Sequence, residues 1–281
     1  MGLKQNTWKL NQWYDQATAG NAAYAAVDPR TLWFWGENGN NRMSGIPAIT
    51  DNQISSPIQI PGTDWKLMQG SDASEHLIML RSNGTAYGWA LNNYGQIGDN
   101  TVVYRSSPTQ IPGTTWVSAT RTQNTTYATR SDGTLWAWGR NEYGELGQNN
   151  KTDFSSPKQV GTGTDWEYVS VGNNNMQAVK TDGTMWGWGD NDQKQIGDGT
   201  DKSKSSPTQV PGTTWTKQMY TSTHTAAIKT DGTLWCMGNN AAGELGQNNK
   251  TQYNSPRQVG SETDWKEVGI ADRNTWATRE A

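Results

Sequence analysis

Apolar and polar residues alternate in short runs along this chain, with a period of two and no sustained helical spacing. Residues 116–165 show the pattern in full. Trp116-Val117-Ser118-Ala119 begins one strand, and Thr125–Arg130 is a second, rich in Thr, Tyr and Ala. Ser131-Asp132-Gly133 is a tight turn, because Asp-Gly supplies the positive φ that a hairpin needs. Thr134–Gly139 is a third strand, which alternation arranges with Trp136 and Trp138 on one face and Ala137 on the other. The Ala137 slot holds Gly88, Gly187 and Cys236 in other copies, so that face is expected to lie against a close neighbouring sheet; Phe34 in the first copy is the exception. In Asn141-Glu142-Tyr143-Gly144-Glu145-Leu146-Gly147, paired glycines around one aliphatic residue predict a compact loop that plugs its Leu inward. Ser155-Ser156-Pro157 then opens a fourth strand, Lys158-Gln159-Val160, whose leading proline suits an outer edge.

This unit repeats about every fifty residues. Trp65, Trp116, Trp166, Trp215 and Trp265 fall 51, 50, 49 and 50 residues apart. Pro57, Pro108, Pro157, Pro207 and Pro256 keep the same beat. Four short antiparallel strands per copy make one blade of a β-propeller, an all-β fold, with a solenoid of sheets as the structural alternative. Five full copies are followed by a sixth that stops after two strands, Trp265–Ile270 and Thr275–Arg279. Six ring positions are favoured, because Tyr24–Val27 already reads as the second strand of the first blade. Five are possible if the C-terminal strands complete that blade and free the N-terminus. Residues 1–21 form a leader and 22–281 the single propeller domain.

Composition explains how so polar a chain folds. Leu, Ile, Val and Phe together number 35 of 281 residues, below the usual floor for a folded domain. The 16 tryptophans compensate, since each buries roughly 150–250 Å². Trp33, Trp35, Trp65, Trp116, Trp136, Trp138, Trp166, Trp186, Trp188, Trp215, Trp235 and Trp265 are the expected core. A net charge of −3 gives no basic stripe, so nucleic acid is not an expected partner. No apolar run reaches membrane-spanning length and Met1–Trp13 has no apolar signal region, so neither insertion nor export is expected. Asn-x-Thr sequons at Asn83, Asn124, Asn150 and Asn249 then read as turn chemistry.

The phrases LWAWGRNEYGELG (135–147), MWGWGDNDQKQIG (185–197) and LWCMGNNAAGELG (234–246) resemble the regulator of chromosome condensation repeat. Residues 224–238 and the SSP-x-Q-[IV] tails are similar to that family too, over roughly residues 24–281. Two departures stand out: the first copy loses the Gly-x-Leu-Gly turn, and Lys194 stands where a Gly is expected. The resemblance implies a propeller that presents loops to partners. The leader Lys9–Gln16 also resembles the starts of proteins encoded by tailed phages of aquatic bacteria.

Candidate chemistry is sparse. His76, His224 and Cys236 are single residues in strand slots and read as structural, and no catalytic, cofactor-binding or metal-binding set emerges, so an enzyme is not expected. The leading expectation is a virion-associated structural protein that decorates a phage capsid or tail, with other virion proteins as partners and the virion as its location. The alternatives are a lectin-like module that binds host-surface glycan and a soluble protein-binding regulator. Candidate partner-binding residues are Trp13, Tyr14 and Asp15 in the leader and Asn38, Asn41, Arg42 and Met43 in the divergent first loop.

Overall fold

The computed structural model describes residues 30–38, 45–46, 49, 53–66, 76–271 and 273–280. Every element among them is a β-strand, and the strands fall into six antiparallel sheets in chain order. The first holds β1 (Leu32–Glu37) and β2 (Gln53–Ile60). Four four-stranded blades follow. The second sheet is β3 (Trp65–Lys66), β4 (His76–Arg81), β5 (Ala86–Ala90) and β6 (Arg105–Ile111). The third is β7 (Trp116–Arg121), β8 (Thr125–Arg130), β9 (Leu135–Gly139) and β10 (Phe154–Gln159). The fourth is β11 (Trp166–Val171), β12 (Asn175–Lys180), β13 (Met185–Gly189) and β14 (Lys204–Gln209). The fifth is β15 (Trp215–Thr221), β16 (His224–Lys229), β17 (Leu234–Gly238) and β18 (Tyr253–Gln258). The last is a half-blade of β19 (Trp265–Ala271) and β20 (Asn274–Arg279). Blades stack in sequence: β4 packs on β7, β12 on β15 and β16 on β19. The fold is thus a row of propeller blades with a C-terminal half-blade, at six positions.

In the third, fourth and fifth blades the hairpin between the second and third strands closes as its Asp-Gly dipeptide predicts, and Asn83-Gly84 serves the second. Gly133 adopts φ +78°, and a Cβ there would run into the Thr164 carbonyl of the next chain turn. Asp132 Oδ1 accepts the Thr134 N–H (3.0 Å) and hydroxyl (2.6 Å), and Thr134 Oγ1 in turn accepts the Trp136 indole N–H (2.8 Å). Three of the sequons do the same local work: Asn83, Asn150 and Asn249 each accept the N–H of the Thr two residues on.

Indoles build the core of each blade. In the third blade Trp116 meets Trp136 edge-on at 6.0 Å and Trp138 at 5.9 Å. A cation from the end of the second strand roofs the pair: Arg130 lies 4.4 Å from Trp116 and 4.0 Å from Trp136. Arg81, Lys180 and Lys229 repeat the arrangement. This explains why Trp136, Trp186 and Trp235 are only half-buried while Trp89, Trp138 and Trp188 are fully enclosed: the outer row keeps one edge for a charge whose head stays near water.

Three expectations need correction. Pro157 does not open its strand; it lies inside β10, where the pairing with β9 shifts register between Phe154 and Lys158. The bulge carries the proline, which has no ladder donor to lose there. The small-residue slot is set by the blade's own loop and not by a neighbouring sheet: a Cβ on Gly88 would approach Ile97 Cγ2 to 2.8 Å, and one on Gly187 would approach Ile196 Cγ2 to 2.9 Å. Trp33 and Trp35 are 47% and 61% exposed, not core. Trp138 and Trp188, the equivalents of Trp35, are covered by the loop of the preceding blade, and among the described residues nothing stands in that place before β1; Trp136, Trp186 and Trp235, the equivalents of Trp33, lie under a cation of their own blade.

Candidate functional site

In the four-stranded blades an asparagine organises the loop between the third and fourth strands. Asn141 Oδ1 accepts the Leu146 N–H (2.9 Å), and its Nδ2 donates to the carbonyls of Asn150 and Thr152 (3.0 Å each). Asn92, Asn191 and Asn240 make the same bridges in their blades. Leu146, Ile97, Ile196 and Leu245 are thereby driven fully inside. Two further polar slots join blades. His76 Nε2 lies 3.0 Å from Thr126 Oγ1, and His224 Nε2 lies 2.8 Å from Thr275 Oγ1, in each case across a blade boundary. Burial, with a smaller push from Arg121, lowers the His76 pKa to about 3, so its ring is neutral in the folded state at physiological pH.

Burial pushes the pKa of the loop carboxylate Glu145 up to about 7. The carboxylate is linked to its loop through Oε2, which accepts the Tyr143 N–H at 2.7 Å. The same slot holds Gln96 and Gln195 in neighbouring blades, with the same bond to the backbone. A carboxyl raised from 4.5 to about 7 on folding favours the native state below pH 4.5, and that benefit is lost as pH rises through 7. Glu145→Gln is therefore expected to stabilise the protein at pH 8 by up to about 3 kcal/mol and to leave stability near pH 4 unchanged. Urea midpoints at the two pH values check this. His76 acts in the opposite sense, its contribution present above pH 6.5 and lost as pH falls toward 3.

Of the candidate partner-binding residues, Trp13, Tyr14, Asp15, Asn41, Arg42 and Met43 lie outside the described residues. Asn38 is fully buried, which removes it from any contact surface. From the second blade to the fifth, the repeated strand indoles sit inside blades or under cations, while Trp33 and Trp35 on β1 are exposed. Among the described residues there is no cluster of three metal-ligating side chains. None holds a helix long and apolar enough to cross a membrane. Burial pushes the Cys236 thiol up to about 12, which leaves it unreactive.

The structure instead draws attention to Val102 and Val103, which are 60% and 57% exposed. They occupy the loop that in the other blades reads Lys151-Thr152, Asp201-Lys202 and Lys250-Thr251. The loop backbone is held rigid: Asn92 Nδ2 donates to the Val103 carbonyl at 3.0 Å, and Asp99 binds Thr101 and Arg105. Two β-branched apolar side chains thus stand together on an exposed loop whose backbone is fixed. The signal was present in the sequence as the one copy of this loop without a charge at that step.

Residues 132–179 and 182–228 match the family model described as Regulator of chromosome condensation (RCC1) repeat, and residues 221–244 match a second model so described. No curated protein sequence matches the chain. Among solved structures, human WBSCR16 is similar with a TM-score of 0.72 and 20% identity, over 89% of this chain and 67% of that one. Prp20p from Saccharomyces cerevisiae, whose structure is described with its binding to Gsp1p and histones, is similar at TM-score 0.65 and 16% identity, over 77% and 56%. A chain in the structure of Kap60 bound to yeast RCC1 (Prp20) is similar at 0.68 and 14%, over 82% and 58%. At these identities the likeness is one of fold, and the chain spans little more than half the length of the last two.

Proposed function

We propose that this chain, a propeller carrying repeats of the regulator of chromosome condensation type, is a protein-binding module that attaches to a phage particle as a structural decoration. The observation that carries the binding reading is the Val102–Val103 patch, an apolar step on a rigid loop within an otherwise polar rim. The solved relatives support it as a class, since Prp20p is described with Gsp1p and histones as partners. The virion reading is supported by the likeness of the leader to tailed-phage proteins and by a near-neutral polar composition without a basic stripe.

Mass spectrometry of purified phage particles tests the location. Stoichiometric peptides from this chain in the particle are expected, and the protein recovered only from the particle-free fraction would sink the reading. Converting the patch to the sequence of its equivalent loop, with Val102→Lys and Val103→Thr, is expected to weaken attachment at least tenfold. Because both side chains are exposed, stability should change by no more than about 0.5 kcal/mol. Titration of stripped particles with each variant reads the first quantity, and thermal unfolding reads the second.

A further inference from the structure

We infer that the Trp116–Arg130 corner of the third blade and the Trp215–Lys229 corner of the fifth are two equivalent carboxylate sites, which an acidic peptide segment of a partner bridges. They lie at the opposite end of the strands from Val102 and Val103, and they do not rest on the virion reading. At each corner the first-strand and third-strand indoles hold the cation that ends the second strand. Arg130 lies 4.4 Å from Trp116 and 4.0 Å from Trp136. Lys229 lies 4.6 Å from Trp215 and 4.2 Å from Trp235. Contact with two rings fixes the place of each charged head. Among the described residues neither cation makes a hydrogen bond or an ion pair, so each is an ordered donor without an acceptor.

Other copies of the repeat define what such a corner takes. In the fourth blade Lys180 lies 4.8 Å from Trp166 and 5.2 Å from Trp186, and its ammonium pairs with Asp165 at 3.1 Å. In the half-blade Arg279 lies 5.7 Å from Trp265 and pairs with Glu262 at 3.4 Å. Both times the occupant is a carboxylate from the segment that leads into the first-strand Trp. The third and fifth blades enter that Trp through the turns Pro112-Gly113-Thr114-Thr115 and Pro211-Gly212-Thr213-Thr214, which carry no acid. The second blade uses Pro61-Gly62-Thr63-Asp64 and so keeps a carboxylate in its turn.

Asp132 and Asp231, on the hairpin turns beside the two cations, do not fill these sites. Their Oδ1 atoms accept the N–H and hydroxyl of Thr134 and Thr233. The fourth blade has Asp182 in the same bonds, and its Lys180 takes the Asp165 carboxylate all the same. The corners are open to a partner: Thr114, Thr115, Thr213 and Thr214 are exposed, and Arg130 and Lys229 are half-buried. A cation already ordered and partly desolvated gains more from a carboxylate than a mobile surface Lys does, because little rotamer freedom is left to lose. Both corners stand at the same end of their blades, where the Trp116 N–H donates to the Gly84 carbonyl and the Trp215 N–H to that of Gly183. Two sites of one chemistry on one rim suit a segment with several Asp or Glu residues, whose second contact is intramolecular.

Poly-L-glutamate titrated at constant ionic strength, with the indole N–H resonances followed by NMR, tests the assignment. The Trp116 and Trp215 signals are expected to shift, and the Trp166 signal, whose cation is already paired, to stay in place. Free glutamate should move the same two signals with an affinity at least tenfold weaker. Thr115→Asp combined with Thr214→Asp should weaken poly-L-glutamate binding at least tenfold, because each cation then has a carboxylate of its own chain beside it. The fold accepts that change: Thr115 and Thr214 have φ of 72° and 68°, and Asp64 holds the equivalent place at 64°. Arg130→Lys should retain binding, whereas Arg130→Gln combined with Lys229→Gln should abolish it with unchanged circular dichroism. Unmoved Trp116 and Trp215 signals, or equal shifts at Trp166, would overturn the inference. So would full binding by the paired Asp variant, or a stronger response to inorganic phosphate than to free glutamate at the same concentration.

Discussion

Replacing Trp188 by Ala is expected to destabilise the fourth blade by roughly 3–5 kcal/mol, the range for a fully buried aromatic cut to a methyl. Trp188 has no exposed surface. It packs against Trp166 at 5.9 Å and lies on Gly147 of the preceding blade. Its indole N–H also satisfies the Glu145 carbonyl. The substitution therefore opens a cavity and removes a bond across the blade boundary. The chain supplies its own control at the next step, where Met237 fills the same position without a donor. Trp188→Met should cost far less, about 1–2 kcal/mol, because an adaptable apolar side chain fills most of the space. Urea unfolding followed by circular dichroism measures both. Because each blade leans on its neighbours, a broadened transition for Trp188→Ala is the expected form of the loss.

Asn141→Ala is expected to cost about 3 kcal/mol or more, although the residue is polar and sits in a loop. Its amide accepts the Leu146 N–H and donates to two carbonyls, at 2.9–3.0 Å. Alanine leaves three backbone groups without these partners, each worth roughly 1–3 kcal/mol when buried. Leu146, which fills the blade through this loop, loses its anchor as well. Glu142→Ala, one residue on and exposed, is the matched control and should stay within about 0.5 kcal/mol. Hydrogen exchange at the Leu146 amide reads the local effect: it should be fast in Asn141→Ala and slow in the control.

Much of this was legible along the chain. Thr125–Arg130 has the same limits as read from its alternation and as found in β8, because a hairpin with Asp-Gly at one end and a polar turn at the other leaves the register no freedom. The two-strand terminal copy is likewise found as β19 and β20. The fourth strands were read less well. Their backbone bulges around Pro157 while two serines precede it, and a bulge is a property of the pair of strands that the alternation of one does not carry. The partner surface was read least well. Asn38 looked like a loop residue free to make contacts, and the fold encloses it. Val102 and Val103 stand out only when the equivalent loops of the blades are superposed, because two valines in one loop carry no pattern of their own.

The sequence by itself determined the period, the four-strand blade, the Asp-Gly hairpins and the indole composition of the core. Each of these is a short-range matter of alternation, turn chemistry and side-chain size. Only the tertiary structure decided which indoles are enclosed. Trp35 and Trp138 occupy the same position in their repeats, and one is exposed while the other has no accessible surface. What separates them, among the described residues, is a preceding blade that covers Trp138 and not Trp35, a relation between copies that no copy encodes. The same holds for Glu145, whose raised pKa comes from enclosure. A repeat specifies its own strands and the shape of its neighbour's contact, but burial depends on whether a neighbour is there.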